Sequence, residues 1–276
     1  MLLSAKLAPT FDYPVMEQFW RATDELGFHS VANYDHFYGL VDNSGPTLEG
    51  WTSLAAMAAV VRRARVSCLV SSVTYRNPAV LAKMAVTVDH ISGGRMDFGL
   101  GAGWHDAEHH GYGIEFPSAG TRVAMVDEAL TLIKRLWTED SVTFEGRFYS
   151  LRDALCEPKP IQRPHPPIVV GGEKPKMLRV IARHADEWNV PSHGDATEWA
   201  RTSARLDEAC AEIGRDPSEI TRSVQVFVQP ARDGHLDAQL AALPRLAAAG
   251  CQHAVLSFYQ PPTADQLTRC ADLIRA

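Results

Sequence analysis

Residues 101–113 read GAGWHDAEHHGYG. Inside them His105, Glu108 and His109 form an H-x-x-E-H string, the spacing by which inverted zinc peptidases present two imidazole ligands and a general-base carboxylate. A zinc helix needs both histidines on one face and a further, usually acidic, ligand. Here Gly111 and Gly113 cut the segment after barely two turns, and the string follows directly on an apolar run that ends in Gly101-Ala102-Gly103. Glu108 reads equally as a first-turn carboxylate of a short helix, favoured by free amides and the helix dipole. A second pair is Asp35-His36, where an adjacent carboxylate can orient an imidazole that then gives or takes a proton near neutral pH. Gly101-Ala102-Gly103 and Gly171-Gly172, with Glu173 and Lys174 beside the second pair, are glycine loops. Each is either a tight turn that needs positive φ or a set of backbone amides open to an anion. Neither is a G-x-G-x-x-G or P-loop fingerprint.

The elements that position these residues alternate. Strand-like runs cover 2–9, 30–37, 65–73, 96–103, 168–172, 187–192, 223–230 and 253–258. Helical patterns lie between them at 15–27, 48–61, 78–92, 121–138, 175–185, 197–214 and 237–249, with a last one at 263–275. In the first, Val15, Phe19, Ala22 and Leu26 share a face and Gly27 ends it. The rhythm breaks at 139–167, where VTFEGRFYSL reads as a hairpin turning at Glu145-Gly146 and the proline-rich EPKPIQRPHPP excludes helix. This is an insertion and not a domain boundary. Eight strand–helix units in a single domain of 276 residues predict an α/β (β/α)₈ TIM barrel with a hairpin and proline-rich insertion between strands four and five, rather than a doubly wound sheet. Catalysis in such a barrel sits at the C-terminal strand ends. Those ends carry Asp35-His36, Ser71 to Tyr75, Gly101 to Trp104, Gly171 to Lys174 and Asn189 to His193.

Composition narrows the partners. The net charge of −6 and the absence of a basic run argue against nucleic acid, which needs clustered Lys and Arg to neutralise phosphates. No apolar run approaches a membrane span, and the N-terminal residues turn polar too soon for a signal peptide. Five scattered cysteines, with no C-x-x-C pair, suit reduced thiols in a cytoplasmic protein. The expected partner is a small-molecule substrate, with no metal.

YDHF (34–37), residues 69–117 around LAKMAVTVDHISGGRMDFGLGAGW, and PPIVVGGEKPKMLRVIARHADEWN (166–189) resemble the luciferase-like monooxygenase superfamily. Within it they are most similar to the branch of oxidoreductases that use coenzyme F420, a deazaflavin; flavin-using members share the central motif. The resemblance covers about residues 1–195 and implies the same barrel. It implies that Asp35 and His36 lie beside the reactive ring carbon, with His36 as proton relay and Asp35 tuning it. It places a non-prolyl cis peptide at Ser72-Val73, cofactor contacts at Ala102, Gly103 and Trp104, and the cofactor phosphate at Gly171, Gly172 and Glu173. It reads GAGWHDAEHHGYG as the loop and short helix after strand four, and it carries an expectation of a homodimer. Sugar-phosphate dehydrogenases of this branch carry a glutamate proton donor where Trp104 stands, and this chain has no clear basic cluster for a substrate phosphate. The resemblance therefore implies hydride transfer between F420 and a small organic substrate with a C=N, C=O or C=C bond or an alcohol. The alternatives are an FMN-dependent monooxygenase using reduced flavin and oxygen, and a non-catalytic cofactor-binding barrel.

Overall fold

The structure, a computed structural model, describes residues 1–40, 43–192 and 194–275. His193 lies outside the described residues. In chain order the elements are β1 (Leu2–Leu7), α1 (Tyr13–Leu26), β2 (Ser30–Asn33), α2 (Gly50–Val60), β3 (Arg65–Cys68), β4 (Ser71–Ser72), α3 (Pro78–Ser92), β5 (Met96–Gly101), α4 (Asp106–Gly111) and α5 (Ala119–Thr138). Then come β6 (Val142–Glu145), β7 (Ser150–Ala154), β8 (Ile168–Gly171), α6 (Pro175–His184), β9 (Glu187–Ser192), α7 (Ala196–Ala211), β10 (Thr221–Val228), α8 (His235–Ala248), β11 (His253–Phe258) and α9 (Ala264–Arg275).

Local chemistry explains the helix ends. Pro14 occupies the first turn of α1, and Gly27 stops it at φ 88°, a left-handed position that costs glycine no Cβ clash. Asn77 caps α3 by accepting from the Ala79 amide at 2.9 Å, Pro78 follows, and Gly93 ends it at φ 68°. The outward faces of the strands (Leu3, Ala5 and Leu7 on β1, for instance) join the helices in one large apolar core. The strands pair in parallel in the order β3-β2-β1-β11-β10-β9-β8-β5-β4, and β3 returns to β5 through Val66↔Met96 and Ser67↔Asp97. The sheet is thus a closed barrel of eight staves among the described residues, with β3 and β4 sharing the third. The insertion forms the antiparallel β6–β7 hairpin, whose turn closes with the Gly146 amide donating to the Tyr149 carbonyl.

The barrel lumen is layered. At the N-terminal end Ser4, Ser30 and His253 join Glu187 in a hydrogen-bonded plug: His253 Nε2 lies 2.7 Å from Ser4 Oγ, and His253 Nδ1 lies 3.0 Å from Glu187. Above it sits a small apolar cluster of Ala32, Leu69, Val169 and Val255. Beyond that the lumen opens toward the C-terminal strand ends.

Three sequence expectations are corrected here. The run 30–37 is strand only as far as Asn33; Tyr34 onward is the loop that carries the candidate site. The run 65–73 breaks at Leu69, whose amide pairs back to the Asn33 carbonyl, and the ladder resumes at Ser71. The non-prolyl cis peptide expected at Ser72-Val73 lies instead at Leu69-Val70. Glycines on β5 make room for this detour: a Cβ on Gly101 would meet Val70 Cγ2 at 2.7 Å.

Candidate active site

The end of β2 is bolted to α2. Asn33 donates to the Gly50 carbonyl and to Ser53 Oγ, both at 2.8 Å. A Cβ on Gly50 would press within 3.0 Å of Asp35 and Tyr34, so glycine is what lets the helix start this close. Asp35 is then fully buried and takes a two-pronged bond from Arg76, at 2.5 Å and 2.9 Å. Arg76 also donates to Glu49, whose carboxylate caps α2 by accepting from the Trp51 and Thr52 amides. Burial opposes the guanidinium charge, but Asp35 and Glu49 outweigh it and hold Arg76 above the ordinary arginine range. The partner of Asp35 is therefore Arg76 and not the adjacent His36. The side chain expected to tune the histidine is committed to an ion pair that planar guanidinium geometry favours.

His36 is held by Glu108. Its Nδ1 donates to Glu108 Oε2 at 2.8 Å, and Oε1 accepts from the Phe37 and Tyr38 amides at 2.6 Å and 2.9 Å. The Tyr75 hydroxyl donates to the same carboxylate. Burial alone would raise the Glu108 pKa, but the bonds from His36 and Tyr75 dominate and bring it down to about 2. An ionised acceptor fixes the tautomer: the proton sits on Nδ1, and Nε2 is left for the cavity that His36 lines. The ring is wedged edge-on between Tyr34, Trp104 and His105, at centroid distances of 5.1, 5.4 and 5.7 Å.

This arrangement disposes of the H-x-x-E-H string. Glu108 does stand in the first turn of α4, yet it serves amides of the β2 loop and not those of its own helix. His109 donates from Nδ1 to the His105 carbonyl at 2.8 Å, which leaves Nε2 to accept from Thr74 at 2.7 Å. Among the described residues no group of three or more His, Cys, Asp or Glu side chains is placed to hold a metal ion. The string is a clamp that joins the loops after β2, β4 and β5.

The loops enclose a cavity of about 720 Å³ at the C-terminal end of the barrel. Asp35, His36 and Ser72 line it, as do Ala102, Gly103 and Trp104, and so do Gly171, Gly172 and Glu173. Val73 does not: it is buried in the apolar core, and Leu69 and Val70 form that part of the wall. The reason is the break at Leu69, which shifts the exposed backbone three residues toward the N-terminus. Gly103 is required where it stands, with φ 71° and a would-be Cβ 2.2 Å from Ser72 Oγ. Trp104 is 62% exposed and edges onto His36, so it forms the outer lip.

Sequence reasoning missed Arg76, Arg122 and Lys6. Arg122 on α5 is pinned at the mouth, its Nε donating to the Ala102 carbonyl at 3.1 Å and its Nη1 to that of Pro117. Its guanidinium lies 4.0 Å over the Phe116 ring. Beside it, after the adjacent strand β8, no side chain caps the N-terminus of α6, and Gly172 precedes it at φ 138°. Open amides, a helix N-terminus and a fixed cation form a corner suited to phosphate. The wall that continues from this corner, of Leu69, Val70, Gly101, Ala102 and Gly171, carries no side chain larger than leucine. A flat tricyclic ring with a phosphate tail fits these two features, and the volume lies within the range of small-molecule sites.

Comparison with known proteins identifies the family. A family model described as luciferase-like monooxygenase matches residues 3–263. An F420-dependent glucose-6-phosphate dehydrogenase of Microbacterium testaceum is 29% identical over 218 residues, 78% of this chain and 64% of its own. An FMNH2-dependent dimethylsulfone monooxygenase of Pseudomonas putida is 31% identical over 182 residues, 66% of this chain and 48% of its own. The chain thus spans less than two thirds of the length of these curated relatives. An F420-dependent secondary alcohol dehydrogenase, solved with an F420-acetone adduct, superposes with a TM-score of 0.86 at 21% identity, covering 99% of this chain and 98% of the other. At that identity the likeness is one of fold.

Proposed function

Because this chain belongs to the luciferase-like monooxygenase family, we propose that it is an oxidoreductase that moves hydride between coenzyme F420 and a small organic substrate bearing a C=N, C=O or C=C bond, or an alcohol. The carrying observation is His36. It is fixed through Nδ1 by an ionised glutamate, and it lines a cavity of about 720 Å³, within the range of small-molecule sites. When bound, the deazaflavin supplies two-electron hydride chemistry, because carbon replaces the reactive nitrogen of a flavin. The chain's own residues do the rest. Gly171, Gly172 and Glu173, with Arg122 beside them, hold the phosphate. Leu69, Val70, Ser72, Ala102 and Gly103 back the ring, and Asp35 stays locked to Arg76 at its edge. Trp104 narrows the mouth against water. In the oxidising direction His36 Nε2 takes the proton of the substrate hydroxyl as the hydride leaves, in the reverse direction the imidazolium so formed gives it back to the substrate heteroatom, and Glu108 keeps the ring in place.

Titration with oxidised F420 and, separately, with FMN, followed by cofactor fluorescence, tests this. Micromolar F420 binding with FMN at least tenfold weaker, about 1.4 kcal/mol, is the expected result. Preference for FMN would favour the second reading, a monooxygenase using reduced flavin and oxygen, which the Pseudomonas putida relative supports; oxygen consumption would then be the assay. His36→Ala is expected to lower turnover about a hundredfold, the modest end of general acid–base effects, while cofactor affinity stays within threefold. Full turnover in that variant would remove His36 from the chemistry.

A further inference from the structure

Lys6 is an unexpected cation. It is the penultimate residue of β1, where every residue after Leu2 is buried, and it is 5% exposed. Like Ser4, it points into the barrel lumen. Its ammonium donates to Gln225 Oε1 and lies 5.7 Å from the centroid of the Tyr34 ring. Gln225 in turn donates to Asn189 Oδ1 at 2.8 Å, Asn189 to Ser223 Oγ at 2.8 Å, and Ser223 to the Trp188 carbonyl at 2.9 Å. This chain of amides turns a carbonyl oxygen toward Lys6, but it brings no negative charge. No carboxylate among the described residues forms an ion pair with Lys6. A buried ammonium with three donors and one neutral acceptor is costly to the fold unless something else compensates it.

The position suggests what does. Lys6, Tyr34, Gln225, Phe227 and Tyr259 form the inner wall of the cavity on the side of β1, β10 and β11. The glycine-lined wall of β5 and β8 stands across the barrel from them in the strand order. Lys6 and His36 both lie against the Tyr34 ring. A ligand laid between the two walls meets a cavity that both Lys6 and His36 line.

We propose that Lys6 is the substrate's anion subsite, so that the substrate class is a small, preferably aromatic or otherwise apolar, carboxylate whose charged group pairs with the Lys6 ammonium. Naming it substrate rests on the redox reading of the cavity; the subsite itself does not. Burial brings the Lys6 pKa down to about 8, so the subsite is charged at pH 7 and discharges as pH rises through 8. The other titratable groups that face it, Tyr34 directly after β2, Cys68 on β3 and Tyr259 after β11, are all pushed up by burial and stay neutral over that range.

Benzoate and benzamide are the probes, because the wall is aromatic and the two differ only in charge and donors. Calorimetry on the cofactor-free protein should show benzoate binding at least tenfold more tightly than benzamide at pH 7, with the preference fading above pH 8. Lys6→Met should abolish the preference, leave benzamide unchanged and still fold with an undiminished Tm; Lys6→Arg should retain most of it. Equal benzoate affinity in wild type and Lys6→Met would overturn the proposal. So would a Lys6→Met variant whose affinity for F420 or FMN drops tenfold with benzoate unmoved, since the cation would then serve the cofactor ring. Cofactor binding without the carboxylate preference leaves the redox reading and removes the subsite. A Lys6-dependent preference without cofactor binding does the reverse.

Discussion

Glu108→Ala is expected to cost about 3–5 kcal/mol of stability at pH 7, since it strands the part-buried amides of Phe37 and Tyr38 and frees His36 and Tyr75 together. Four donors from two loops converge on this one carboxylate, so the loss is cooperative. The acid dependence follows from the sign of the shift. Glu108 titrates near 2 in the folded chain and near 4.5 ordinarily. Its contribution is complete above pH 4.5 and is lost as pH falls from there toward 2. At 1.36 kcal/mol per unit this component is on the order of 3 kcal/mol. Urea denaturation followed by circular dichroism between pH 2 and 7 should show a steep fall below pH 4.5 in the wild type and a shallower one in the variant. A loss under about 1 kcal/mol at pH 7 would mean that the clamp is not what holds the loop.

Arg76→Met should be comparably severe, about 3–5 kcal/mol, because breaking a buried ion pair from one side leaves the other charge uncompensated. Asp35 is the charge left behind, with its side chain wholly buried. The double variant Arg76→Met/Asp35→Asn should regain more than half of the loss, and the cycle isolates the pair from the cap that Glu49 still gives to α2. If the double variant is as unstable as the single one, the damage comes from packing around the methionine and the ion pair matters little.

Both sites show where sequence reasoning stops. Gly27 and Gly93 as helix stops, Pro78 at a helix start and the Glu145-Gly146 turn are set by residues within a few positions of each other. They could therefore be read in order along the chain, and their alternation predicted the barrel and the rim where chemistry would gather. Asp35 beside His36 looked like a pair for the same reason. In space each found another partner: Asp35 bonds Arg76, 41 residues away, and His36 bonds Glu108, 72 residues away. Adjacent residues at a strand end face different ways, so adjacency in sequence says little about contact. A faint signal was present in Lys6, a charge set within a largely apolar strand, and in Arg76 just beyond the third. Their meaning depends on Gln225, 219 residues from Lys6, and on which strands the barrel sets side by side.

What the sequence determined by itself is the fold and the family, because periodicity, caps and a contiguous motif are local. What only the tertiary structure decided is the electrostatics of the cavity: which carboxylate holds the histidine, which is neutralised by arginine, and which cation is left facing the space where a ligand belongs. Those pairings depend on closing the barrel, since closure brings β1 beside β11, β3 beside β5 and the loop after β2 against α4. No local pattern in the chain carries that information.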